Sequence, residues 1–213
     1  MLPLQQFKDY IKKNALFAPD QKIMLAVSGG KDSVLMTQLF KLANYNFSIA
    51  HCNFNLRADE AQRDESFVRL LANSFDVQFH VTHFDTKSYA ADHQISTQMA
   101  ARDLRYQWYE EIRLKHNYDF VAVAHHQSDS VETLLLNLTR GTGISGMHGI
   151  LPKRGKIIRP LLFLSKLQID DLVEANNINF VEDSSNQSGK YARNKIRLNV
   201  IPQLREINLN LEE

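Results

Sequence analysis

The sequence predicts an α/β protein with a doubly wound, mostly parallel sheet and helices on both of its faces. Short apolar runs alternate with segments of helical period from Lys22 to Thr139. Parallel neighbours need a long crossover, and the intervening helical segments supply it. A serine–glycine turn joins the first run directly to the helix after it, a position at which such sheets bind ligands.

Leu4, Phe7, Ile11 and Leu16 recur at roughly helical spacing, so a short amphipathic helix precedes the first strand, Lys22 to Val27. Beyond the glycine turn the pattern predicts a helix over Val34 to Ala43 and a strand over Phe47 to His51. A helix over Asp59 to Ser74 and a third strand over Val77 to His83 follow. Thr97 to Lys115 sets Ala101, Leu104, Trp108 and Ile112 on one helical stripe. Phe120 to Ala124 is a short strand, with a helix near Asp129 to Thr139 and then the glycines Gly141, Gly143, Gly146 and Gly149. A Pro-punctuated stretch, Lys156 to Pro160, leads to a helix from Ser165 to Asn176, a polar loop from Glu182 to Gly189 and a final helix near Asn194 to Arg205. No repeat or linker divides the chain, so residues 1–213 are expected to form one domain with 156–213 as its C-terminal extension. Ligands are expected beyond the carboxyl ends of the strands, in the loops after Val27, His51, His83 and Ala124.

A chain of 213 residues with 44% hydrophobic and 23% charged content can bury a sizeable core. Its longest apolar stretches are too short to cross a bilayer, and its N-terminus lacks a signal-peptide pattern, so a soluble, cytoplasmic protein without membrane contact is expected. The single cysteine, Cys52, excludes an internal disulfide and any metal or iron–sulfur site that needs several thiolates from this chain. A net charge of +1 gives no general pull toward nucleic acid, which would have to meet local basic clusters.

Ser28-Gly29-Gly30-Lys31-Asp32-Ser33 stands between a strand and a helix, where unpaired N–H groups and the helix dipole favour an anion. The glycines allow close approach to phosphate oxygens, and the serines add hydroxyl donors. Asp32 would repel a bare phosphate, so its place at the mouth suggests a Mg²⁺ that it helps to hold; a helix cap explains it too. The loop lacks the four-residue spacer of a Walker A sequence. Asp129 and Glu132 share a helical face one turn after His125, and can hold Mg²⁺ against ATP phosphates or attract a cationic amine; a capping aspartate and a solvated glutamate are the plainer alternative. His126 is either a catalytic group or a structural histidine. Arg102, Arg105, Tyr106 and Tyr109, at helical spacing, suit phosphate clamping and base stacking, or a solvated face.

These segments resemble known motifs. The hexapeptide looks like the PP-loop of ATP-pyrophosphatases, which cleave ATP between its α- and β-phosphates and grip the departing pyrophosphate. Ala124 to Thr133 is similar to a His-x-x-Asp-Asp-x-x-Glu-Thr block, with Ser128 where the first Asp is usual. Ala101 to Tyr106 resembles Ala-Arg-x-x-Arg-Tyr, and His51 to Arg57 resembles a His-x-Asn-His-x-Leu-Arg loop with Phe54 in place of the second His. Arg140-Gly141-Thr142-Gly143, Glu182 to Asn186 and Tyr191 to Arg197 are similar to blocks of the tRNA(Ile)-lysidine synthetase family.

The resemblance spans Val27 to Arg197 and implies an adenine nucleotide α-hydrolase-like fold, with ATP and Mg²⁺ as cofactors. It implies adenylation of the wobble cytidine of an isoleucine tRNA with a CAU anticodon, then attack by L-lysine; a homodimer is compatible with it. By the same resemblance Ser28, Gly29, Gly30, Lys31, Asp32, Ser33, His51 and Asn53 bind ATP, and Asp32, Asp129 and Glu132 hold the metal. Arg102 and His126 join those acids in catalysis, while Arg140, Arg193, Asn194 and Arg197 meet tRNA. The family's C-terminal tRNA-binding domains are not expected within 1–213. A tRNA cytidine thiolase shares the loop spelling, but such enzymes resemble one another in paired cysteines, and Cys52 stands alone. A noncatalytic nucleotide- or RNA-binding module is the other alternative, kept open by Ser128.

Overall fold

The computed structural model describes residues 1–56, 58–143, 148–182, 192–208 and 211. Helix α1 (Leu4–Lys13) buries Phe7 and Ile11, one turn apart, before the chain enters strand β1 (Ile23–Ala26). Strands β2 (Phe47–Asn53), β3 (Phe79–His83) and β4 (Phe120–Ala122) follow, separated by α2 (Lys31–Leu42), α3 (Ala58–Phe75), and the pair α4 (Thr86–Asp92) and α5 (Thr97–Lys115). After α6 (Gln127–Thr139), two short strands, β5 (Lys153–Arg154) and β6 (Ile157–Ile158), complete the sheet. Helix α7 (Lys166–Ala175) is followed by α8 (Ala192–Lys195), a π-helical turn (Ile196–Val200) and α9 (Ile201–Ile207).

Among the described residues the sheet has six strands in the order β3-β2-β1-β4-β6-β5, and only the pairing of β5 with β6 is antiparallel. Ile23 is registered with Phe47 on one side and with Phe120 on the other, so the winding reverses at β1. The crevice beyond the carboxyl ends of β1 and β4 is therefore the switch point of the sheet.

Side chains alternate across each strand, and this divides the core. Ile23, Leu25, Val27 and Ile49 face one way, onto Phe7, Leu39, Phe40, Val68 and Ile169 of helices α1, α2, α3 and α7. Met24 and Ala50 face the other way, onto Trp108, Tyr109 and Ile112 of α5. Phe40 anchors the first face through rings 5.4 Å away at Phe7 and 5.6 Å away at Phe17.

The expected doubly wound sheet is present, with several boundaries moved. Helix α2 starts at Lys31 rather than Val34, because Gly30 takes the extended cap conformation and Lys31, Asp32 and Ser33 form the first turn. Helix α6 likewise starts at Gln127. Helix α4 was not expected; Asp85 caps it by accepting from Ser88 N at 3.1 Å. The Pro-punctuated stretch contains β6, paired with β4, although two residues are too few to show a strand period. The final helix is interrupted by the π-helical turn. Arg57, Gly146 and the polar segment 183–191 lie outside the described residues. Among the described residues no helix is long and apolar enough to cross a membrane.

Candidate active site

At the switch point the structure opens a cleft of about 800 Å³, lined by the loop after β1, the start of α2, the ends of β2 and β4, and residues of α3, α5 and α7. Gly29 has φ +96°, and a Cβ there would lie 2.5 Å from Val181 Cγ2, so the turn requires glycine. Val181 N closes the contact by donating to Gly29 O at 3.0 Å. The loop hydroxyls shape the turn: Gly29 N donates to Ser33 Oγ at 3.2 Å, Gly30 N to Ser28 Oγ at 3.3 Å, and Ser33 Oγ to Gly30 O at 3.0 Å. The N–H groups of Lys31, Asp32 and Ser33, in the first turn of α2, have no acceptor within the helix and form the anion-receiving end.

A chain of charges crosses the loop mouth. Lys31 Nζ lies 2.9 Å from Asp170 Oδ1, and Lys166 Nζ lies 2.7 Å from Asp32 Oδ1. Neither Lys166 nor Asp170 was singled out from the sequence. A usable signal existed for Lys166: it opens a helix capped by Ser165, where a cation opposes the helix dipole.

His126 and Asp129 cap α6 reciprocally: Asp129 N donates to His126 Nδ1 at 3.3 Å and His126 N donates to Asp129 Oδ2 at 3.0 Å. His126, expected as a reacting group or a structural histidine, is buried at 3% exposure, and its neighbour His125 lines the cleft. His126 Nε2 still lies between two carboxylates, 3.5 Å from Asp129 Oδ2 and 4.0 Å from Asp32 Oδ2. Burial works to raise the Asp129 pKa, but His126, His125 and Arg193 outweigh it and hold the carboxyl below its ordinary range.

Glu132 does not join this group. It is 1% exposed, and its carboxylate accepts from Arg193 Nε at 2.7 Å and from Arg197 Nε and Nη2, the latter at 3.0 Å. Arg193 Nη2 also donates to Asp129 Oδ1 at 3.1 Å. Burial lowers the Arg197 pKa, but its hydrogen bonds to Glu132 prevail and raise it. Among the described residues no group of three or more His, Cys, Asp or Glu is arranged as a metal centre, which corrects the expected trio of Asp32, Asp129 and Glu132. Asp32 and Asp129 both line the cleft, whereas Glu132 does not. Arg193 and Arg197 face these acids rather than an open surface, Asn194 is half-buried beside them, and Arg140 is exposed at the end of α6.

The opposite wall is aromatic and cationic. Cys52, Phe54, Arg105, Tyr106 and Tyr109 line it, with the Arg105 guanidinium 5.1 Å from the Phe54 ring centre. His51 and Asn53 are not among its lining residues, because side chains alternate along β2. They point to the other face, where Val27 O lies 2.9 Å from His51 Nδ1 and Asn53 Nδ2 donates to Glu65 Oε2 at 3.1 Å. Arg102 is exposed beyond the cleft lining, its guanidinium 4.9 Å from the Tyr106 ring centre, so Arg105 is the arginine of that helix that reaches the cleft. Burial pushes the Cys52 thiol up to about 12, which leaves it a poor nucleophile.

A switch-point cleft with a Ser-Gly-Gly loop feeding a helix N-terminus is the site of a nucleotide-handling α/β protein, and the chain belongs to the PP-loop domain family, whose model matches residues 3–204. The curated relatives that it matches are more particular. It is 49% identical over 199 residues to the tRNA(Ile)-lysidine synthase of Bacteroides thetaiotaomicron, a match covering 93% of this chain and 47% of that protein. The enzyme of the same name from Petrotoga mobilis is 36% identical over 208 residues, covering 96% of this chain and 67% of that protein. The chain thus spans about half the length of the first of these relatives (47%). Among solved structures, the U34-tRNA thiolase of Methanococcus maripaludis, with its [4Fe-4S] cluster, shares the fold at TM-score 0.78 and 16% identity, over 98% of this chain and 75% of that one. The NH3-dependent NAD synthetase of Campylobacter jejuni shares it at TM-score 0.57 and 17% identity, over 98% and 88% of the two chains.

Proposed function

We propose that this chain is the ATP-using catalytic domain of a ligase that joins lysine to C2 of the wobble cytidine in an isoleucine tRNA with a CAU anticodon. The observation that carries the reading is the meeting, in one cleft, of the phosphate loop, the carboxylates Asp32 and Asp129, and the wall of Phe54, Arg105 and Tyr106. Its support from outside the cleft is the likeness to tRNA(Ile)-lysidine synthases along nearly the whole chain.

The β- and γ-phosphates lie against the N–H groups that open α2, with Lys31 and Lys166 beside them. The cytidine C2 oxygen attacks the α-phosphorus, the bond to the bridging oxygen breaks, and pyrophosphate leaves with that electron pair. The lysine ε-amine then attacks C2, the C2–O bond breaks, AMP departs and the amine loses a proton. The loop amides favour the first step because they are already aimed where the leaving group gathers charge. Asp32 and Asp129 would hold Mg²⁺, which when bound neutralises phosphate charge. Phe54 and Tyr106 offer stacking surfaces for a base, and Arg105 a cation beside them. Exposed Arg140 is available to RNA phosphate. The same reading puts the enzyme in the cytoplasm with its tRNA.

The test is direct: protein, labelled lysine, ATP and the tRNA transcript are incubated together. ATP-dependent transfer of label is expected, and its absence in folded protein rejects the reading. Asp32→Ala is expected to lose adenylation while keeping the fold.

A further inference from the structure

Arg159 follows β6 in an otherwise apolar run, Ile157-Ile158-Arg159-Pro160-Leu161-Leu162, and is only 9% exposed. A buried guanidinium ordinarily stands against a carboxylate, because an unpaired buried charge is costly. Here the strongest influences on Arg159 include no acid: burial lowers its pKa, and Arg102 and Arg154 act in the same direction against Tyr106 and Tyr10. Two neutral acceptors take its hydrogens instead. Nη1 donates to Leu151 O at 2.7 Å, and Nε donates to His125 Nδ1 at 3.2 Å.

The second bond fixes the state of the histidine. A guanidinium has donors and no acceptor, so Nδ1 must present a lone pair, and the proton of the neutral ring must sit on Nε2. His125 lines the cleft, and among the described residues its Nε2 makes no hydrogen bond. Asp129 is the acid that acts on the ring, but its two oxygens already accept from His126 N and Arg193 Nη2. The histidine therefore offers a donor to the cleft, with Arg159, Arg193 and Arg102 adding positive charge around it.

We propose that Arg159 is a positioning residue that locks His125 as the Nε2–H tautomer, so that His125 donates a hydrogen bond to a phosphate oxygen bound in the cleft. The assignment rests on the nucleotide reading of the same cleft and adds a residue pair to it. Burial holds the ring neutral, its pKa pushed down to about 4, so the donor is present at neutral pH without a proton to shed. The phosphate belongs either to the nucleotide or to the RNA backbone, and the two sources are separable.

Nitrogen-15 NMR of the histidine-labelled chain at about neutral pH reads the tautomer. His125 is expected with a protonated Nε2 and a bare Nδ1, and a proton on Nδ1 overturns the proposal. Arg159→Met, if folded by near-ultraviolet circular dichroism, is expected to show a mixture of both tautomers; a pure Nε2–H form there means that Arg159 does not position His125. If that variant does not fold, the wild-type spectrum still decides. Binding of α,β-methylene-ATP and of a short CAU anticodon stem-loop RNA is then measured for wild type, His125→Ala and His125→Gln. The alanine variant is expected to lose about tenfold in affinity for one ligand, with the glutamine amide restoring most of it. A loss with nucleotide assigns the nucleotide phosphate, and a loss with RNA assigns the phosphodiester. Equal binding of both ligands by all three proteins overturns the proposal and leaves the nucleotide reading standing. Wild type that binds neither ligand overturns that reading together with the phosphate partner.

Discussion

Lys166 Nζ lies 2.7 Å from Asp32 Oδ1 and 3.4 Å from Asp170 Oδ1, which sets an ammonium group at the mouth of the phosphate loop. Two carboxylates offset its unfavourable position in the first turn of α7. The buried Ser128 hydroxyl holds that turn by accepting from Lys166 N at 3.2 Å, so the residue at the unusual motif position supports the lysine. A phosphate group at the loop would compete with Asp32 for the Lys166 ammonium. Lys166→Met is expected to weaken pyrophosphate binding about tenfold, the scale of one charge-assisted hydrogen bond. Calorimetric titration checks this, and an unchanged affinity removes Lys166 from the site.

Glu132 joins α6 to the C-terminal helices through Arg193 and Arg197. Glu132→Gln keeps the shape but leaves two guanidiniums beside a neutral amide. Breaking a buried pair from one side costs about 3–5 kcal/mol, and the partial exposure of both arginines (36%) lowers the expected loss to roughly 2–3 kcal/mol. Urea unfolding measures it. A change within experimental error would show that the cluster contributes nothing to stability.

Gly29→Ala meets two penalties, a left-handed backbone and a Cβ 2.5 Å from Val181 Cγ2. The expected destabilisation is about 1–3 kcal/mol, with weaker nucleotide binding because the turn must shift. Adding Val181→Ala relieves the clash but not the backbone strain, so recovery of stability should be partial. Complete recovery would mean that backbone conformation costs nothing at this position.

Acid sensitivity follows from His80. Burial, then His116 and Lys115, push its pKa down from 6.5 to about 4. The unfolded chain takes up this proton near 6.5 and the folded chain only near 4, so the unfolded state binds more protons between those values. Stability is complete above the upper value and declines as pH falls through the window; His125, lowered in the same way to about 4, adds to the slope. His80→Gln is expected to flatten the dependence of the urea midpoint on pH, and an unaltered slope would exclude His80 as its source.

Much of the frame was legible in the residues. Long periodic segments such as Thr97 to Lys115 stand as read, because a helix of 19 residues repeats its pattern many times. Strands β5 and β6 have two residues each and cannot display alternation, and α4 is a short helix set by the cap at Asp85. The loop Ser28 to Ser33 and Asp129, expected at the site because their chemistry is local to one strand end or one helix start, both contribute to the cleft lining. Motif spelling does not say which face of β2 His51 and Asn53 take, and the register with β1 and β3 does. The reciprocal cap that His126 and Asp129 form at α6 likewise depends on where the helix starts.

The order of residues alone determined a parallel sheet with an anion-binding turn at its switch point, since periodicity, glycine and helix-start chemistry act over a few positions. Tertiary structure decided which charges meet. Lys166 reaches Asp32 across 134 positions, Arg197 reaches Glu132 across 65, and Arg159 reaches His125 across 34. Coulombic and hydrogen-bonding partners are chosen by distance in space, and the packing of α7 on α2, of the π-helical turn on α6 and of β6 beside β4 brings those residues into contact.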